Sequence, residues 1–326
     1  MNKWIKQNYL WLSILLAVFF AWLTPEAGSR DGWLRTPVLT KIGIIFIFFT
    51  QGFKLSSSAI AQGIRFWQLH MFCQFWIFLG TPLLSLAVIF SIGSNWSSDL
   101  QTGIFFLSSL PTTITSAVIF VTRTGGNVAG AIFNTILANL VAVFILPTWI
   151  LLYQKTTASH SFELLPVLWK LTWLILLPFA VGHLSQRWLG AFKEKVNRTS
   201  TPIHQGIIAM MIYSAFANSF HDNIWEEAGS SATIIALTSS VLLVAIFHSS
   251  VFGSSLLFFK KSDSRVSVFF IASQKSLAVG IPYSSALFAE NPELGNQSVI
   301  ILPLLFYHLL QLLLASILSN KLKADD

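Results

Sequence analysis

Lys275 stands in the middle of FFIASQKSLAVGIPYSS (269–285), a stretch apolar enough to lie inside a membrane, with no acidic residue in it. A charged side chain at the bilayer centre costs at least about 2.5–3.5 kcal/mol on insertion scales, so a stranded lysine demands a compensating role. Three chemistries are open to it. Its ammonium can replace a bound cation by directing three donors at oxygens. It can be the counter-ion of an anionic substrate, or it can load and release a proton during transport, with His248 sharing that work. The plainest alternative is a lysine that only ties together the carbonyls of a broken helix.

Two segments must position this chemistry. SVFFIASQKSLAVGIPYS (267–284) can be laid without a gap on GIFFLSSLPTTITSAVIF (103–120). In the first, Gln274, Lys275 and Ser276 precede Gly280 and Pro282; in the second, Pro111 precedes Thr112, Thr113, Thr115 and Ser116. Proline removes a backbone donor and clashes with the preceding turn, so both helices are expected to be interrupted. Unwound backbone at membrane depth is tolerated only where it lines a cavity or is buried in protein. Gln74, Asn134, Thr135, Asn139, His248, His308 and Gln311 add polar groups on flanking spans. Any one of these alone reads as an interhelical hydrogen bond; their clustering around the two interrupted spans points to a binding site.

The rest of the chain is membrane-like. Hydrophobic residues are 54% and charged residues 10% of 326, and the mean hydropathy is +0.68, more apolar surface than a soluble fold could bury. Ten long apolar segments are read, at roughly 8–23, 38–53, 67–90, 101–122, 127–152, 166–186, 201–219, 232–258, 266–288 and 298–318, each near the roughly 20 residues a spanning helix needs. They are continuous runs rather than alternating strands, so the fold class is an all-α polytopic membrane protein. The basic, then apolar, start resembles a signal peptide, but a first helix of a polytopic chain is expected to stay. Ten spans divide into two five-helix repeats, residues 1–153 and 154–326. Five is odd, so the second repeat is inverted, and no soluble domain is expected.

The formal charge of +7 comes from basic residues scattered over short loops, with no stripe and no interleaved aromatics, which argues against nucleic acid. Fourteen of the twenty Lys and Arg fall on one set of loops. The positive-inside rule then places both termini in the cytoplasm, in the plasma (cytoplasmic, or inner) membrane. Cys73 is the single cysteine, so there is no internal disulfide. No metal-ligand cluster and no nucleophile–base pair lies in the spans, which excludes an enzyme and a cofactor.

The chain resembles the bile acid:sodium symporter family, solute carrier family 10, closest to its member 7-like bacterial branch. The likeness rests on FTQGFKLSSSAI (49–60), CQFW (73–76), LPTTITSAV (110–118) before TRTGGNVA (122–129), LLPFAVG (176–182) and SQKSLA (273–278). It implies a core domain in which broken helices 4 and 9 cross, a panel domain that rocks against it, two sodium ions beside the crossover, and an organic anion nearby. The ion-binding residues it implies are Ser116 and Thr135 on one side, and Gln74 and Gln274 with Ser273 on the other. The site also departs from the family pattern. Where the family's bile-acid transporters have an acidic residue this chain has Phe270, and Ala117, Ala131 and Lys275 stand where asparagine, serine and asparagine are expected.

The expected function is secondary active transport by alternating access, a sodium- or proton-coupled symport of a small organic anion. Thr112, Thr113, Thr115, Asn134, Asn139, Lys275, Ser276 and His248 are expected to bind substrate or replace a missing charge. The expected partners are that anion, sodium or a proton, and the lipid bilayer. The alternative is a non-transporting membrane regulator, of a calcium-homeostasis kind, that keeps the fold.

Overall fold

The computed structural model describes residues 3–54, 62–113, 115–157, 164–189, 192–289 and 291–322. Among them there is helix and no strand, as a chain of continuous apolar runs requires in lipid. In chain order the helices are α1 (Lys3–Leu23), α2 (Thr36–Lys54), α3 (Trp67–Phe75), α4 (Thr81–Ile92), α5 (Ser98–Ser109), α6 (Thr115–Arg123), α7 (Val128–Thr157), α8 (Leu164–Leu171), α9 (Leu177–Leu189), α10 (Lys193–His221), α11 (Ile224–Phe258), α12 (Ser262–Ala272), α13 (Leu277–Ser284) and α14 (Gln297–Lys321). Thr36–Lys54, Trp67–Ile92, Val128–Thr156, Ser230–Phe258 and Gln297–Lys321 are each long and apolar enough to cross a membrane. The protein is an integral membrane protein. Leu55 to Ile60 of the first family-like motif, and Ile114 of the third, lie outside the described residues.

The chain divides into two compact units, each of discontinuous segments: Met1–Leu55 with Leu165–Ser230 and Ile281–Ser298, and Ser56–Leu164 with Ser231–Gly280 and Val299–Asp326. In the first unit α1 packs on α10, and α2 packs on both α9 and α10. Gly52 and Gly182 let α2 and α9 touch backbone to backbone, since a Cβ on the first would overlap the Phe179 carbonyl and one on the second the Phe49 carbonyl. Small residues play this part between membrane helices because close backbone approach, and not exclusion from water, drives their association.

In the second unit α12 packs on α3, α6 and α7, and α5 packs on α4 and α7. A π-turn at Trp76–Gly80 joins α3 to α4. It has a local cause. The Thr81 N–H donates to Trp76 O, so it is withdrawn from Ile77 O, and the next residue, Pro82, has no N–H to offer in its place. The Ile77 carbonyl is left without a backbone donor from that turn.

Both expected interruptions are present. α5 stops at Ser109 and α6 begins at Thr115; α12 stops at Ala272 and α13 begins at Leu277. Pro111 sits in the first gap, as expected. The second gap differs from its expected cause: Pro282 and Gly280 lie inside α13, and the helix opens ahead of them, at 273–276. Its backbone groups there find partners on α14 and on the first gap.

Candidate functional site at the paired helix breaks

The two gaps bond directly to each other, for the Ser276 N–H donates to Pro111 O at 3.0 Å. A buried backbone group left unpaired is costly, so the remaining groups show what holds the crossover. Tyr307 donates its hydroxyl to Ser273 O at 2.6 Å. The Gln311 amide accepts from the Lys275 N–H at 2.7 Å and donates to Lys275 O at 2.7 Å. Its second amide hydrogen faces His308 Nδ1 at 2.7 Å. Thr113 Oγ1 accepts from the Ala117 N–H at 3.2 Å and so satisfies the first turn of α6, as a side-chain oxygen does at a helix start.

Lys275 is fully buried. Its Nζ donates to Ser108 O at 2.6 Å, Leu110 O at 2.9 Å, Thr81 Oγ1 at 2.9 Å and Ile77 O at 3.1 Å. The ammonium thus lies on a set of oxygens other than those of the ion-binding residues Ser116, Thr135 and Gln274. It sits at the C-terminal end of α5, where the helix dipole favours a cation. Ser108 O lies in the last turn of α5, which stops at Ser109, and Leu110 O follows it in the gap, while the third carbonyl, Ile77, is free because of Pro82.

Ser116, Thr113 and Gln274 come together, although the resemblance sets Ser116 and Gln274 on different sides. Gln274 Oε1 accepts from Thr113 Oγ1 at 2.8 Å and from Ser116 Oγ at 3.1 Å, and the two hydroxyls lie 2.6 Å apart. Thr135 lies one turn from Asn139, whose Nδ2 donates to Thr135 O at 2.6 Å and towards Thr112 O at 3.4 Å. Gln74 Nε2 donates to Asn134 Oδ1 at 3.1 Å. Asn134 has its own donors on Gly130 O and His70 Nδ1, so its bonds serve the α3–α7 contact. Ser273 Oγ donates to Phe269 O at 2.6 Å, inside its own turn. Thr115 faces outward, exposed, and Ser276 is buried at the crossover. His248 stands apart: Nδ1 donates to Val244 O, the ring meets Phe269 and Tyr307, and it lines an apolar cavity of about 470 Å³ with Val241, Phe252 and Leu318.

Eight buried side-chain polar atoms among the described residues have no partner, and five belong to residues singled out from the sequence: Gln74 Oε1, Thr112 Oγ1, Asn139 Oδ1, His248 Nε2 and Gln274 Nε2. Buried polar groups in native proteins are nearly always paired, so each of these atoms calls for a partner. Three of the five are oxygens, fit for a cation or a donor; Gln274 Nε2 is a donor, fit for an anion.

The position assigned to a carboxylate is filled by hydrocarbon. Phe270 is 1% exposed, stacks on Phe120 with ring centroids 5.5 Å apart, and belongs to an apolar cluster with Cys73, Ile77, Ala131 and Ala138. Thr81 and Tyr307 were not anticipated. For Thr81 a signal exists in Gly80-Thr81-Pro82 at mid-span; for Tyr307 there is none beyond a hydroxyl in an apolar run.

The chain is 32% identical to the putative symporter YfeH of Escherichia coli, over 95% of this chain and 90% of that one. It is 30% identical to the uncharacterized protein PA2026 of Pseudomonas aeruginosa, over 98% and 93%, and 30% identical to the sodium/bile acid cotransporter 7 of Danio rerio, over 98% and 93%. The sequence model of one transporter family matches residues 8–324. The protein is a transporter resembling the bile acid:sodium symporters, and not an enzyme. With a match along nearly its whole length, the chain belongs to the SBF-like CPA transporter family.

Proposed function

We propose that the protein is a secondary active transporter that carries a small organic anion by alternating access, coupled to sodium or to protons. The observation that carries this reading is the set of spare buried atoms on Thr112, Asn139 and Gln274, which hydrogen bonds from Asn139 to Thr112 and from Thr113 to Gln274 tie to the first helix break, with a further spare oxygen on Gln74. Oxygens and an amide donor at one helix break suit a cation and an anion bound together. The names of the relatives, a putative symporter and a sodium/bile acid cotransporter, favour the same class. Ten spans in two inverted repeats, residues 1–153 and 154–326, with both termini in the cytoplasm, complete the proposal and rest on segment lengths and on the loop charges.

The site carries no carboxylate at Phe270, so sodium would be held by neutral oxygens, and coupling to it is expected to be weaker than in relatives with an acidic residue there. The test begins with purified protein screened by thermal shift against organic anions, with sodium, potassium or choline as the only cation. Anion and ion that bind one state together stabilise it together. The anion found is then followed into proteoliposomes with and without a sodium gradient. Steep dependence on two sodium ions would overturn the weak-coupling reading; absence of any stabilising anion and of any flux would overturn transport.

A further inference from the structure

We propose that the oxygens of Ile77, Thr81, Ser108 and Leu110 form a monovalent-cation site which the chain fills with its own Lys275 ammonium, and that a free small cation occupies it when the lysine is removed. This inference does not rest on transport. Its ground is the composition of the cage. All four partners of Nζ are neutral oxygens at 2.6–3.1 Å. The Thr81 hydroxyl has carbonyls of Trp76, Ile77 and Ser108 to donate to, which leaves its lone pairs for the ammonium. An ammonium brings three donors and no acceptor, and the one hydroxyl proton of Thr81 can serve at most one of the cage carbonyls at a time, so the four oxygens offer more acceptor capacity than the cage itself can fill.

The cage is also built in advance of the lysine. Pro82 and the π-turn free the Ile77 carbonyl, the end of α5 at Ser109 leaves that of Ser108 in its last turn, and Leu110 contributes its carbonyl from the gap. These carbonyls come from two segments outside the lysine's own helix and would converge whether or not a lysine reached them. A cluster of unpaired carbonyls at a helix C-terminus attracts a cation. Left without one, it is a cluster of buried unsatisfied acceptors, which is destabilising.

The experiment uses the full chain carrying Lys275→Ala, melted in detergent against ammonium, methylammonium, sodium or potassium chloride, with choline chloride holding ionic strength constant. The variant is expected to melt below wild type and to recover saturably, by roughly 3–8 °C, with at least one small cation and not with choline. Wild type is expected to respond to none of them beyond choline. Lys275→Met, whose unbranched side chain fills the path to the cage without a charge, is expected to gain nothing from any cation. Thr81→Val in the Lys275→Ala background removes one oxygen and is expected to weaken the rescue roughly tenfold in concentration. Should Lys275→Ala not survive purification, gel filtration of a fluorescent fusion solubilised with methylammonium or with choline gives the same reading through recovery of a monodisperse peak. Equal behaviour of the Ala and Met variants, or no difference between methylammonium and choline, overturns the proposal.

Discussion

The side-chain amide of Gln311 takes up both hydrogen-bonding groups of the Lys275 backbone, accepting from its N–H and donating to its carbonyl, each at 2.7 Å. A peptide that left its helix at Ala272 is thereby paired as it would be inside one. An unsatisfied buried group costs about 1–3 kcal/mol, whereas interhelical hydrogen bonds in membranes average nearer 0.6 kcal/mol because freed groups find other partners. At a fixed gap there is no neighbouring turn to supply a partner, so the larger value applies. Gln311→Met keeps the volume and removes both bonds, and is expected to cost about 2–4 kcal/mol. A melting temperature in detergent unchanged from wild type would contradict this.

Gln274 has the opposite character. Its Oε1 accepts from Thr113 and Ser116 while its Nε2 has no partner, so a good part of its bonding capacity contributes nothing to the fold. Gln274→Leu is therefore expected to reduce co-stabilisation by anion and ion at least about tenfold, one such bond being worth roughly 1.4 kcal/mol, with a smaller loss of melting temperature than Gln311→Met. The comparison is made in one thermal-shift series with and without the anion. A variant that melts far lower and still binds fully would reverse the assignment.

These two glutamines show what the sequence could disclose. Gln274 was legible beside Lys275 in a segment that pairs with LPTTITSAV, because helix-breaking composition repeated at matching positions has few causes. The role of Gln311 was not, since a glutamine thirty-six residues away becomes a partner only through the packing of α14 on the gap. Pro111 announced its break correctly. Pro282 misled because α13 runs through it, sixth of eight residues, and the opening at 273–276 is held by side chains of other segments. Thr115 carried the right chemistry on the wrong face, a distinction that depends on where α6 begins after the gap.

Gly52 and Gly182 offer a test within the first unit. A methyl group on either would overlap a facing carbonyl, and backbone cannot yield as a flexible side chain does. Gly52→Ala or Gly182→Ala is expected to push α2 from α9 and cost about 1–3 kcal/mol through overpacking. The double variant should cost less than the sum, because one displacement relieves both overlaps. Additive losses in melting temperature would show that the two contacts are independent.

Phe270 supplies the sharpest test of how this site differs from a carboxylate-bearing one. The ring is buried, stacked on Phe120 and set among Cys73, Ile77 and Ala131. Phe270→Leu removes the stacking and part of the volume, and is expected to cost about 1–2 kcal/mol, with the response to sodium unchanged. Phe270→Glu adds to the lost packing a buried negative charge, which is severe unless a cation joins it. Spare oxygens on Gln74 and Asn139 lie on the helices α3 and α7 that pack in the same unit. The Glu variant is therefore expected to melt far below wild type in choline and to regain several degrees in sodium, a dependence that wild type and Phe270→Leu lack. If the Glu variant is equally unstable in both salts, the oxygens that remain do not form a sodium site, and coupling in this protein must be sought in protons.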